Sequence, residues 1–247
     1  MRRVFFLFSG LYDHAAAHVP GGRGFLISGG VTASGSFYSA LWHFDADVSE
    51  WSLKAASGDG ISQHSLTLAG DGFVYLFGGF TSEKISSDMY RIHAEDLEAW
   101  EQVPLRGAVR ARDLKITGHS AVFHADSNSL LVYGGIQTDV ARFSRMNKHI
   151  FMFNLDSLTW SRLEGDGGGG GASLPSPRAF HSADIIGDLM VIFGGYVHKH
   201  NKVEECYDRK VYFYHLRCNV WMSEEVIPTA NLNFPVCLLY TSDAADE

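Results

Sequence analysis

Leu130-Leu131-Val132-Tyr133-Gly134-Gly135 is the stretch that decides the fold, because the chain repeats it in kind three more times. Phe25-Leu26-Ile27 leads to Gly29-Gly30, Phe73-Val74-Tyr75-Leu76-Phe77 to Gly78-Gly79, and Met190-Val191-Ile192-Phe193 to Gly194-Gly195. Successive glycine pairs stand 49, 56 and 60 residues apart. Upstream of each lies a histidine followed by small or apolar residues: His14, His64, His119 and His181. Downstream come aromatic runs (Leu41–Phe44, Met89–Ile92, Ile150–Phe153, Val211–Tyr214) and then a tryptophan: Trp51, Trp100, Trp160 and Trp221. Self-similarity at a spacing of this size marks a repeat architecture.

Each unit reads as four short antiparallel strands, in the order histidine strand, strand entering Gly-Gly, aromatic strand, tryptophan strand. Strand-end glycines permit positive φ and a close backbone approach. One twisted four-stranded sheet cannot bury both faces alone, so the aromatic side chains are expected to fill the wedge between neighbouring sheets. The architecture that follows is an all-β propeller with four blades visible. The four histidines recur once per blade, which marks them as structural hydrogen-bonding residues.

Composition excludes several classes. The 247 residues carry a net charge of -8 without a basic stripe, which argues against a nucleic-acid partner. No run of about 18 apolar residues is present to span a bilayer. Met1-Arg2-Arg3 followed by Val4-Phe5-Phe6-Leu7-Phe8 imitates a signal peptide, but five apolar residues are fewer than the usual 7–15. Residues 1–11 are read as a strand fragment.

The repeat resembles the kelch motif over residues 12–222. Its last two copies are similar to the propellers of the attractin and multiple epidermal-growth-factor-like domains family. The resemblance rests on Ala141-Arg142-Phe143-Ser144, Pro177-Arg178-Ala179-Phe180-His181, and Glu204-Glu205-Cys206-Tyr207-Asp208 followed by Cys218 and Trp221. It implies part of a large cell-surface signalling protein with EGF-like modules, an incomplete ring, and a protein partner on the extracellular side of the plasma membrane. Cys206 and Cys218, 12 apart, flank the third strand of one blade. Spacing leaves a local disulfide and two reduced thiols equally open; the resemblance favours the disulfide. Residues 223–236 read as the start of a further blade or a linker. Residues 237–247, from Cys237-Leu238-Leu239-Tyr240 onward, match what the end of a common sequencing adapter encodes, and are read as a scar.

Candidate sites follow from loop lengths. The turns between strands one and two and between three and four are short and share one face. The long connections lie opposite: Phe80–Asp88, Leu105–Thr117, Ile136–Lys148, Gly165–Arg178 and Tyr196–Lys210. Long loops on a rigid scaffold are where recognition resides. That face gathers Arg106, Arg110, Arg112, Arg142, Arg145 and Lys148, a positive cluster on an acidic protein; the alternative is a set of solvated loop residues. His198 and His200 beside Glu204 and Glu205 read as a solvated loop, since no carboxylate or cysteine sits at ligand spacing. Gly167–Gly171 lacks the Gly-Lys-Ser/Thr ending of a phosphate loop and reads as a linker. No catalytic residues, metal or cofactor are expected. The rival readings are an intracellular kelch adaptor that recruits substrates to a ubiquitin ligase and a galactose-oxidase-like copper enzyme.

Overall fold

The computed structural model describes residues 10–19, 24–56, 60–137, 145–163, 174–197, 207–208 and 210–222. In chain order its strands are β1 (Leu11–Tyr12), β2 (Ala15–His18), β3 (Gly24–Ser28), β4 (Val31–Thr32), β5 (Ala40–Asp45) and β6 (Glu50–Ala56). There follow β7 (Ser65–Leu68), β8 (Phe73–Phe77), β9 (Met89–His93) and β10 (Glu101–Val103), then β11 (Ser120–His124), β12 (Ser129–Tyr133), β13 (Ile150–Asn154) and β14 (Thr159–Leu163). The last four are β15 (Ser182–Ile186), β16 (Leu189–Phe193), β17 (Val211–His215) and β18 (Val220–Met222).

Four four-stranded antiparallel sheets result, ordered β2-β3-β5-β6, β7-β8-β9-β10, β11-β12-β13-β14 and β15-β16-β17-β18, beside a two-stranded pair β1-β4. The strand order in space is the strand order in sequence, so each sheet is one blade, as the repeat predicts. The histidine directly precedes the first strand in all four blades. The glycine pair follows the second strand and the aromatic run forms the third. Trp51, Trp160 and Trp221 lie in the fourth strand, and Trp100 directly precedes it. The first strands β2, β7, β11 and β15 stand side by side in that sequence. Among the described residues the array is an open sector of a propeller, with no packing that closes β15 onto β2.

The core lies between blades, because each sheet's apolar face is covered only by its neighbour. Trp160 is 2% exposed and packs its ring at 4.7 Å on Phe77 of blade two and at 5.1 Å on its own Phe153. Trp221 repeats this, at 5.4 Å from Tyr133 of blade three and 5.0 Å from Tyr214. Burying a large aromatic side chain in this way supplies most of a seam's stabilisation.

The glycine pair and the histidine make the seam at the blades' long-loop ends. The first glycine faces the histidine of the next blade: a Cβ on Gly78, at φ +64°, would stand 2.7 Å from His119 Cε1 and from the Ile116 carbonyl oxygen. The second faces the histidine of its own blade, a Cβ on Gly79 meeting His64 at 2.7 Å. Neither position has room for a side chain. The second glycine's N–H then donates across the seam, Gly30 to the Ile61 carbonyl (2.7 Å), Gly79 to Ile116 (2.8 Å) and Gly135 to Arg178 (2.8 Å).

One expectation falls partly outside the described residues. Cys218 sits on the β17–β18 turn, exposed, with a free thiol. Tyr207, the chain neighbour of Cys206, bridges Tyr196 beyond the opposite end of β17. Cys206 itself lies outside the described residues, as do Arg142, His198, His200, residues 1–9 and residues 223–247.

Candidate partner-binding face

Beyond each glycine pair the second and third strands continue for one more bridge: Val31 with Phe37, Phe80 with Ile85, Ile136 with Met146, Tyr196 with Tyr207. The residue two before each histidine joins the same extension, through Tyr12–Val31, Ser62–Phe80, Thr117–Ile136 and Ala179–Tyr196. This collar raises the long loops above the blades on one face of the disc.

Between blades two and three the connection from β10 to β11 crosses that region. Its start runs along the outer strand of blade three, where Trp160 N–H donates to the Arg106 carbonyl (2.8 Å) and Ala108 N–H to the Trp160 carbonyl (3.0 Å). Ala111–Asp113 then form a 3-10 turn. The Gln137 side chain donates to the Asp113 carbonyl (2.8 Å), and its backbone N–H donates to the Arg145 carbonyl (2.7 Å). Gln137 thus fastens the connection to the β12–β13 loop and brings Arg110, Arg112 and Arg145 into one neighbourhood. Arg110 and Arg112 share the Asp113 carboxylate, at 3.3 and 3.9 Å. Two cations on one anion leave a positive surplus.

The five described members of the expected cluster, Arg106, Arg110, Arg112, Arg145 and Lys148, are all exposed. Arg106 departs from the group, since its backbone is held at the blade edge by Trp160. Beside it opens a cavity of about 260 Å³, lined by Ser87, Asp88, Met89, Gln102, Val103, Pro104, Leu105 and Trp160. Arg110 and Arg112 keep side-chain exposures of 69% each, so they remain open to a partner.

Two features of the seams carried no legible signal. Asp13, Gln63 and Phe180, each just before a histidine, take φ of +58°, +52° and +56°, with Gly118 at +65°. Their backbones form a chain around the inner edge: Gln63 N–H to Asp13 (2.8 Å), Gly118 to Gln63 (2.9 Å) and Phe180 to Gly118 (2.8 Å). Nothing in Asp, Gln, Gly and Phe shares a chemistry that would have flagged the position. The second is Arg178, fully buried where blades two and three carry Ile61 and Ile116. Its guanidinium donates to the Gly194 carbonyl (2.7 Å), the Ser176 carbonyl (3.1 Å) and Asp208 (2.9 Å), and lies 4.4 Å above the Tyr212 ring. Asp208 also accepts from the Tyr212 hydroxyl (2.7 Å). Burial alone would raise the Asp208 pKa, but these donors and the Arg178 charge hold it below the usual carboxylate range.

The short-turn face holds a different cluster. His124, Asp126 and Asp188 bring potential ligand atoms within 4.8 Å of one another across blades three and four. Arg217 sits on both carboxylates, at 2.8 Å from Asp188 and 3.3 Å from Asp126, so the negative charge is already answered by a guanidinium.

An open sector of four-stranded blades with glycine-and-histidine seams is a propeller scaffold, and the comparisons place it. The chain belongs to the Attractin/LZTR1 β-propeller family, whose model matches residues 7–235. It is 36% identical over 220 residues to human multiple epidermal growth factor-like domains protein 8, covering 85% of this chain and 8% of the relative. It is 30% identical to human host cell factor 1 over 198 residues, 71% of this chain and 9% of that protein. It is 30% identical to the Drosophila melanogaster leucine-zipper-like transcriptional regulator 1 homolog over 128 residues, 50% of this chain and 12% of that one. The matched segments therefore span 8% to 12% of these relatives' own length.

Proposed function

We propose that this chain is a non-catalytic interaction scaffold, working on the extracellular side of a membrane protein, whose long-loop face captures an acidic partner. The observation that carries the reading is the fastening of Arg110, Arg112 and Arg145 around Gln137 on a protein of net charge -8. Exposed cations on a rigid collar speed and orient association with an oppositely charged surface. The extracellular setting draws on the similarity to multiple epidermal growth factor-like domains protein 8.

The test is binding to immobilised panels of secreted and cell-surface proteins, comparing the chain with its Arg110→Glu and Arg145→Glu variant. Capture should weaken about tenfold or more in the variant and fall as salt rises, without loss of stability. Capture that followed Asp71 or Asp126 would put the site on the short-turn face and overturn the proposal. A second reading, an intracellular scaffold, has its own support in the exposed free thiol of Cys218 and in relatives named as a transcriptional regulator and a host cell factor. Reduced thiols belong to reducing compartments.

A further inference from the structure

The inner edge of the disc presents one position from each blade, Asp13, Gln63, Gly118 and Phe180. In blades one to three that position is polar or bare. The Gln63 side chain donates to the Asp13 carboxylate (2.8 Å) and accepts from the Thr117 hydroxyl (3.0 Å), so the polar groups there satisfy one another. Blade four breaks the pattern with Phe180, 48% exposed at φ +56°. A bulky side chain is rare in the left-handed region, and a residue held there against its preference points to a function. Burial does not explain the choice, since about half of the residue stays in contact with water.

The ring is nevertheless held in place. Phe180 N–H donates to the Gly118 carbonyl (2.8 Å), and a Cβ on Gly118 would stand 2.7 to 3.0 Å from three atoms of the ring, so only glycine leaves this seat open. Beside it, Ala179 is bridged to Tyr196 and Tyr196 to Tyr207, which is 66% exposed with its ring 5.9 Å from that of Tyr196. Asp208, the chain neighbour of Tyr207, is anchored by the buried Arg178 (2.9 Å). Blade four thus raises two fixed and exposed aromatic residues. The basic group of blade three is next to them. Gly118 follows Thr117, which exchanges two hydrogen bonds with Ile136 (3.0 and 2.8 Å), and the next residue is Gln137, the one that fastens Arg110, Arg112 and Arg145.

We propose that Phe180 is the apolar anchor of the long-loop face, and that the face fits an acidic peptide segment with an apolar side chain beside its carboxylates. The proposal rests on the reading of this face as the partner-binding one and adds a second requirement on the partner. Carboxylates meet the arginines of blade three, which take them through charge-assisted hydrogen bonds. The apolar side chain covers the Phe180 ring, with Tyr207 beside it. Aromatic and arginine side chains carry most of the energy at contacts of this kind.

The test is selection of a displayed random dodecapeptide library on the full chain, followed by titration of the best peptide in synthetic, fluorescently labelled form. The expected result is enrichment of Asp or Glu together with an apolar residue. Phe180→Gln, the residue that blade two carries at φ +52° in the same place, should weaken that peptide about tenfold and leave its salt dependence unchanged. Phe180→Gly, as in blade three, should do the same, with the unfolding midpoints of both variants at the parent value. Arg110→Glu with Arg145→Glu should weaken binding and flatten its salt dependence. Peptides enriched in acid alone, or an affinity that ignores both Phe180 variants, overturn the proposal and leave the acidic-partner reading standing. Apolar peptides whose binding ignores salt and the arginines overturn that reading as well. A selection that yields no peptide overturns the proposal, and so does a loss of stability in both Phe180 variants, which would make the ring structural.

Discussion

At the scale of single residues, the seams turn on whether a buried histidine has a partner. His119 and His181 each have one nitrogen on a serine of the blade before. His64 occupies the matching place, but the first strand of the blade before it starts with Ala15 in place of a serine, and both His64 ring nitrogens are buried without a partner. Burial, the first cause in each case, pushes all three down to about 3, so they are neutral at physiological pH. A neutral imidazole without a hydrogen bond forfeits the compensation that its neighbours obtain. Ala15→Ser should restore the Ser–His bond and raise stability by about 1 kcal/mol, read as a shift in the denaturant midpoint at unchanged slope. A destabilised Ala15→Ser protein would mean that the blade-one seam is differently registered. The histidine period was legible because it recurs. The missing serine was not, because only the folded seam shows that Ser65 and Ser120 reach forward to the next blade.

At the scale of elements, the reading of four strands per repeat held because each carries a separate signal: a histidine, a glycine pair, an aromatic run, a tryptophan. Loop length absorbed the unequal spacing, so insertions at Ile136–Lys148 and Tyr196–Lys210 left strand order intact. What escaped the sequence was direction in three dimensions. Cys218, read from the sequence as one end of a bridge, stands on the β17–β18 turn with an exposed thiol, while Cys206 lies outside the described residues. The tryptophans also differ by seam. Trp160 is wedged between blades two and three, whereas Trp51 is half-buried and packs on Phe25 and Phe44 of its own blade, 5.5 and 5.0 Å away. Trp160→Ala should cost about 3–5 kcal/mol and Trp51→Ala clearly less, measured by urea unfolding of both variants. Equal losses would mean that the wedge role does not distinguish the two.

At the scale of the whole molecule, stability should be graded along the array. Repeat arrays are stabilised by each unit and by each seam, so a blade with two neighbours outlasts a blade with one. The largest buried cluster joins blades two and three, from Tyr75 and Phe77 through Leu130 and Val132 to Phe153 and Trp160. In blade three, β12 is buried along its whole length, whereas in blade four β15 alternates between exposed and half-buried positions. The two-sided blades also share their histidine and glycine contacts with both neighbours, and those contacts open only if two seams open together. Amide exchange should therefore be slowest in β12 and β8 and faster in β2 and β15. The protection of β12 should exceed that of β15 by about tenfold or more, corresponding to about 1.4 kcal/mol of extra opening free energy. Exchange followed residue by residue at neutral pH measures this directly. Uniform protection across all four blades would show that the molecule opens only as a unit, and the open-sector account of its stability would fall.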